Sequence, residues 1–95
     1  MNYLNIKNQE AAKLYELLCD SNLQVTIARL VILGIIKQSE DELTAAQIMR
    51  HTAFRTAKIS FGVVYATLNT LEKAGLIERF KLGREQGRYA FHRTI

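Results

Sequence analysis

The sequence predicts a mainly α-helical domain closed by a small β-hairpin. About four helices and a two-stranded wing come in the order of a winged helix-turn-helix. Three observations carry this. Apolar residues recur at three- and four-residue steps through most of residues 8–74. The chain contains no proline, so helices can run unbroken and must be stopped by glycine and polar caps. After Gly75 the apolar period changes from helical to alternating, in two short segments joined by a turn bounded by glycines.

The first helix is expected over Asn8 to Cys19, where Ala11, Leu14, Tyr15 and Leu18 make one apolar stripe. Asp20-Ser21-Asn22 ends it with side chains that compete for backbone hydrogen bonds. Thr26 caps a second helix that runs to about Lys37. That helix is apolar nearly all round (Ile27, Leu30, Val31, Ile32, Leu33, Ile35, Ile36), as a helix at the centre of a domain is. Gly34 weakens it, which suggests a close helix crossing at that point. Thr44 begins a third helix, with Gln47 as the far half of a capping box. Ala45, Ile48 and Met49 form its buried stripe, with Phe54 a candidate fourth member. Ser60 caps a fourth helix that runs to Ala74 and stops at Gly75. Leu76 to Lys81 and Arg88 to His92 are the strands of the hairpin, and Gly83 to Gly87 is its turn.

The longest apolar run, Leu30 to Ile36, is far shorter than the ~20 residues of a membrane span. No secretory signal is visible in Met1-Asn2-Tyr3-Leu4-Asn5, and a cytoplasmic protein is expected. The single cysteine, Cys19, excludes an internal disulfide and a multi-cysteine zinc site. His51 and His92 lack metal-ligand spacing, so no metal ligand and no cofactor is expected. There is no Gly-x-Ser-x-Gly, no phosphate loop and no nucleophile with a nearby base, which argues against an enzyme.

Charge is distributed unevenly. Residues 1–49 hold four Lys/Arg against six Asp/Glu, whereas residues 50–95 hold nine against three. A basic second half fits a polyanion such as double-stranded DNA. At about 100° per residue, Phe61, Val64, Leu68 and Leu71 form the core face of the fourth helix, with Tyr65 at its edge. Gly62, Val63, Ala66, Asn69, Thr70 and Lys73 lie opposite. That face is small and almost uncharged, and a helix with such a face can come close to another surface. In a major groove, Tyr65, Val63, Ala66 and Thr70 are placed to touch thymine methyls, and Asn69 to pair with an adenine edge. The candidate base contacts are therefore Tyr65, Asn69, Gly62, Ala66 and Thr70. The candidate phosphate contacts are Arg29, Arg55, Lys58, Arg79, Lys81, Arg84 and Arg88. Arg29 has two readings: it reaches a phosphate, or it pairs with Asp20 or Glu42.

Several stretches add a family resemblance. Leu23-Gln24-Val25-Thr26-Ile27-Ala28-Arg29-Leu30-Val31-Ile32-Leu33 resembles the L-x-V-T-x-P-R-x-x-I-L opening of the ferric uptake regulator (Fur) family. Leu43 to Ile48 looks like its L-S-A-E-D-I segment, and Ile59 to Ile77 like I-G-L-A-T-V-Y-R-x-L-x-x-L-E-x-A-G-L-I. The resemblance covers roughly residues 10–92. It implies the winged-helix DNA-binding domain of a transcription regulator, usually a repressor. On this reading residues 1–95 are a single DNA-binding domain, without the α/β dimerisation and metal-sensing domain of family members. A weak homodimer on DNA is then expected at most. The departures are specific. Ala66 stands where an arginine follows the tyrosine, Val63 where threonine is usual, and Ala28 where proline is usual. Family members draw regulatory metal ligands from positions matching Glu42, where a histidine is common, and Ala90, where a glutamate is common; alanine cannot ligate. The alternative reading is a Fur-like interaction module that contacts a protein partner in place of DNA.

Overall fold

A computed structural model describes residues 3–56 and 59–92, the first six of these as backbone only. The order is α1 (Tyr3–Asp20), α2 (Ile27–Gln38), β1 (Leu43–Thr44), α3 (Ala45–Arg55), α4 (Phe61–Lys73), β2 (Ile77–Phe80) and β3 (Arg88–Phe91). The winged helix-turn-helix stands, with one addition. The sheet has three antiparallel strands in the order β1-β3-β2, not two. Leu43 pairs with Tyr89 and Thr44 with Arg88 on one side of β3, while Ile77 pairs with Phe91 and Phe80 with Arg88 on the other. Two residues are too few to show an alternating pattern, so β1 was hidden behind its second role as the cap of α3.

The helix ends follow local chemistry. Thr26 Oγ1 accepts from the Arg29 N–H at 3.1 Å. At α3 the capping box is complete: Gln47 N–H donates to Thr44 Oγ1 at 3.2 Å, and Thr44 N–H donates to Gln47 Oε1 at 2.8 Å. Ser60 Oγ accepts from the Val63 N–H at 3.2 Å. α1 begins five residues before the expected Asn8, because nothing between Tyr3 and Lys7 breaks a helix. It ends in a left-handed residue, Asn22, with Leu23 N–H bonded to Leu18 O and Asn22 N–H to Cys19 O. Gly75, at φ 80°, ends α4 in the same way, with Leu76 N–H on Leu71 O and Gly75 N–H on Glu72 O.

α2 is the central element and touches α1, α3, α4 and β3. Its Ile32, Leu33, Ile35 and Ile36 are buried among Leu14 and Leu18 of α1, Ile48 of α3, and Val64, Leu68 and Leu71 of α4. The close crossing expected at Gly34 is present: a Cβ there would lie 3.1 Å from Leu14 Cδ1. Lys37 ties three elements together. Its Nζ is 3.5 Å from Glu10 Oε1 on α1 and 5.9 Å from the centre of the Phe91 ring on β3. Two expected core residues are corrected. Phe54 is 89% exposed, because it projects roughly half a turn away from the buried Ala45, Ile48 and Thr52. Phe61 is 46% exposed, because the buried face of α4 consists of Val64, Thr67, Leu68 and Leu71 and begins one turn later.

Candidate nucleic-acid interface

α4 is anchored from below and open above. Its buried side packs on α2 and α3, and its C-terminus feeds directly into β2. Phe61, Gly62, Val63, Tyr65, Ala66 and Asn69 are exposed together on the free side. Of these expected base-contact positions, Gly62, Ala66 and Asn69 project freely. Thr70 is half-buried and its hydroxyl donates to the Ala66 carbonyl at 3.1 Å, so its remaining role outward is as an acceptor. A Cβ on Gly62 would meet nothing nearer than Ser60 Oγ, at 4.0 Å. The protein's own packing therefore does not require glycine there.

Tyr65 stands on the wing side of this face. The Phe61 ring meets it edge to face, with centroids 4.8 Å apart and planes at 88°. On its other side Tyr65 lines a shallow niche with Arg79, Gln86, Gly87, Tyr89 and Ala45. The register of the hairpin explains Arg79's presence. Arg79 pairs with Tyr89, which is buried, so both point to the side of the sheet that faces the helices. The Arg79 Nε lies 3.9 Å from Glu72 Oε1 on α4, and the side-chain stem rests against Gly87. Burial pushes the Tyr89 hydroxyl above its usual pKa, and the nearby Arg79 charge partly opposes that.

The other expected cations fall in different places. Arg55 is exposed at the end of α3, with Nη1 donating to the His51 carbonyl at 3.2 Å. Lys81 and Arg84 are exposed in the loop between β2 and β3. Arg88, the first residue of β3, borders an open pocket with Glu40, Asp41, Glu42 and His51, away from the loop tip. Arg29 pairs with neither Asp20 nor Glu42. Its Nη1 donates to the Gln24 carbonyl at 2.7 Å, which pins the chain entering α2. Lys58 lies outside the described residues. Sequence reasoning missed the exposed Phe61 and the carboxylate partner of Arg79. The first was legible in principle, since Phe61 directly follows the cap Ser60. The second depends on the strand register, which no local pattern specifies.

Ala90 and Glu42 are the positions at which the family resemblance expects regulatory metal ligands. Ala90 faces Glu78 across the hairpin and brings no ligand. His92 Nδ1 lies 3.2 Å from Glu78 Oε1 in an exposed pair. Among the described residues no group of three His, Cys, Asp or Glu side chains is placed to hold a metal ion, and no helix is long and apolar enough to cross a membrane.

A capped helix with a small exposed face, followed at once by a hairpin, has close relatives among solved structures and sequences. A manganese uptake regulator superposes with a TM-score of 0.76 at 33% identity, over 82% of this chain and 57% of that one. The ferric uptake regulator from Pseudomonas aeruginosa with manganese superposes with a TM-score of 0.78, over 85% of this chain and 61% of that one; at 21% identity it speaks for the fold alone. The ferric uptake regulation protein of Rhizobium leguminosarum bv. viciae is 35% identical over 81 residues, 84% of this chain and 57% of the relative. The chain thus spans under two thirds of the length of the relatives it matches. The profile of the ferric uptake regulator family, whose members are DNA-binding transcription regulators, matches residues 20–94, and the chain belongs to that family.

Proposed function

We propose that this chain binds double-stranded DNA with α4 in the major groove and the β2–β3 wing along the backbone, as the DNA-binding part of a transcription regulator that represses by occupying its site. The observation that carries the reading is the exposed face of α4. It is free of charge through its first two turns and open to close approach at Gly62, while Arg55 at the end of α3 and Lys81 and Arg84 in the wing loop are exposed. Tyr65 and Asn69 then meet base edges, with Ala66 and the methyl-bearing Val63 beside them. Arg29, Arg55, Lys58, Lys81, Arg84 and Arg88 meet phosphates. Arg79, turned toward α4 and shared with Glu72, works at the junction of helix and wing. Two copies bind adjacent half-sites about one helical turn apart and associate only weakly without DNA.

A mobility-shift titration against A·T-rich and random duplexes at two salt concentrations tests this. Neutralising several phosphates makes affinity fall steeply with salt. A second reading has its own observation: the exposed Phe61, Val63 and Tyr65 form an aromatic, charge-poor centre of the kind found in protein interfaces. Absence of binding to any duplex at low salt would leave that reading in its place.

A further inference from the structure

Phe61 stands in an unfavourable place for a residue without a task. It is the first residue of α4, it is nearly half exposed, and the core of the helix begins only at Val64. Its ring meets Tyr65 edge to face. Tyr65 is also exposed, and among the described residues no hydrogen-bond partner holds its hydroxyl. A tyrosine in that position can swing about two side-chain torsions. Phe61 lies against one side of the ring and the Arg79–Gly87 niche opens on the other, which narrows the directions in which it can swing.

The surrounding face shows what the ring can read. The first two turns of α4 carry no Arg, Lys, Asp or Glu, so they cannot make the paired contacts by which guanine is usually recognised. They present Phe61, Val63, Tyr65 and Ala66, which are apolar surfaces. The apolar group that bases display in the major groove is the 5-methyl of thymine. The exposed cations of α3 and the wing loop suit a polyanion, and the family of DNA-binding regulators to which the chain belongs favours DNA as the occupant.

We propose that Phe61 is a positioning residue for sequence recognition: it fixes the Tyr65 ring so that Tyr65, with Val63 beside it, reads thymine methyl groups. This rests on the reading of α4 as the groove helix. Burying one methyl corresponds to about a fourfold change in affinity.

The test uses the duplex that the parent protein enriches from a random pool, made once with thymine and once with uracil, which keeps the hydrogen bonds and removes only the methyls. The parent is expected to bind the thymine form several-fold more tightly. Phe61→Ala and Phe61→Leu should bring the thymine-to-uracil ratio close to one, while melting temperature and salt slope stay as in the parent. Phe61→Tyr, which keeps the ring, should keep the ratio. A parental ratio in Phe61→Leu, or a ratio of one in the parent itself, overturns the proposal while leaving DNA binding intact. Failure of the parent to bind any duplex at low salt overturns the groove reading, and the role of Phe61 with it.

Discussion

Gly62 offers a perturbation whose effects on folding and on binding run in opposite directions. Glycine within a helix is less stable than alanine by roughly 0.5–1 kcal/mol, chiefly through the entropy of the unfolded chain. Gly34 and Gly62 are both helical, but their surroundings differ. A Cβ at Gly34 would come within 3.1 Å of Leu14 Cδ1, a buried side chain, whereas at Gly62 the nearest atom is 4.0 Å away. Overpacking a core contact costs about 1–3 kcal/mol. Gly34→Ala should therefore lower the melting temperature despite its better helix propensity. Gly62→Ala should raise it by about 2–8 °C, taking about 4–8 °C per kcal/mol for a domain of this size. Gly62→Leu should also fold, because the added atoms project into open space. If α4 approaches a groove wall at Gly62, however, the leucine collides with the DNA, and a clash of about 1–3 kcal/mol lowers affinity by roughly 5- to 150-fold. Differential scanning fluorimetry and a binding titration on the same preparations check both signs. A Gly62→Leu variant that melts like the parent and binds DNA equally well would show that this face of α4 does not enter the groove.

The remaining predictions concern the division of labour in the interface, alkaline stability and metal. Asn69→Ala and Tyr65→Ala should reduce affinity for the preferred duplex by about 1–3 kcal/mol with little change on random DNA, whereas Arg84→Ala should weaken both alike and reduce the salt slope by about 1; competition titrations at two salt concentrations separate the patterns. Tyr89 has its pKa raised in the fold by burial, so its favourable contribution is complete below the unfolded value of 10.0 and declines as pH rises from there through the folded pKa. Denaturant melts across alkaline pH should show that decline in the parent and less of it in Tyr89→Phe. Because Ala90 supplies no ligand, a chelator should leave both the melting temperature and DNA affinity of this chain unchanged. Stoichiometric zinc in the purified protein, or binding lost on chelation, would count against that.

The helices were legible because each carries redundant signals. α3 has an apolar stripe and a complete capping box, and α4 has a serine cap at one end and a left-handed glycine at the other. The crossing at Gly34 was legible because a glycine in an otherwise apolar helix weakens that helix unless another chain needs the room. Periodicity says which residues share a face, but not how far along the helix that face is covered. Phe61 lies at the edge of the apolar stripe of α4, but the first turn extends past its neighbours. Phe54 was misjudged for the simpler reason that its angular position puts it opposite Ala45 and Thr52. β1 is non-local, since it pairs only with β3, more than forty residues later, and the Arg79–Glu72 pair, though its residues are close in sequence, depends on which face of β2 the hairpin register gives Arg79.

The same distinction separates the buried frame of α4 from its exposed face in this chain. Frame positions are constrained from several sides at once. Val64, Leu68 and Leu71 each meet buried residues of other elements, and Gly75 holds a backbone conformation that other residues adopt at a cost. The exposed positions of α4 are constrained only by what lies outside the protein. Ala66, Val63 and Gly62 could each be larger or charged without disturbing the core. Their smallness is therefore not required by the fold, which is what the proposed groove contact would explain. On the proposed reading, a face with Ala66 in place of a charged reader, yet with Tyr65 and Asn69, leans on shape and methyl contact beside a single amide. Such contacts discriminate less per residue, so recognition must rely on several of them held rigidly together. That requirement is what the edge-to-face packing of Phe61 on Tyr65 meets.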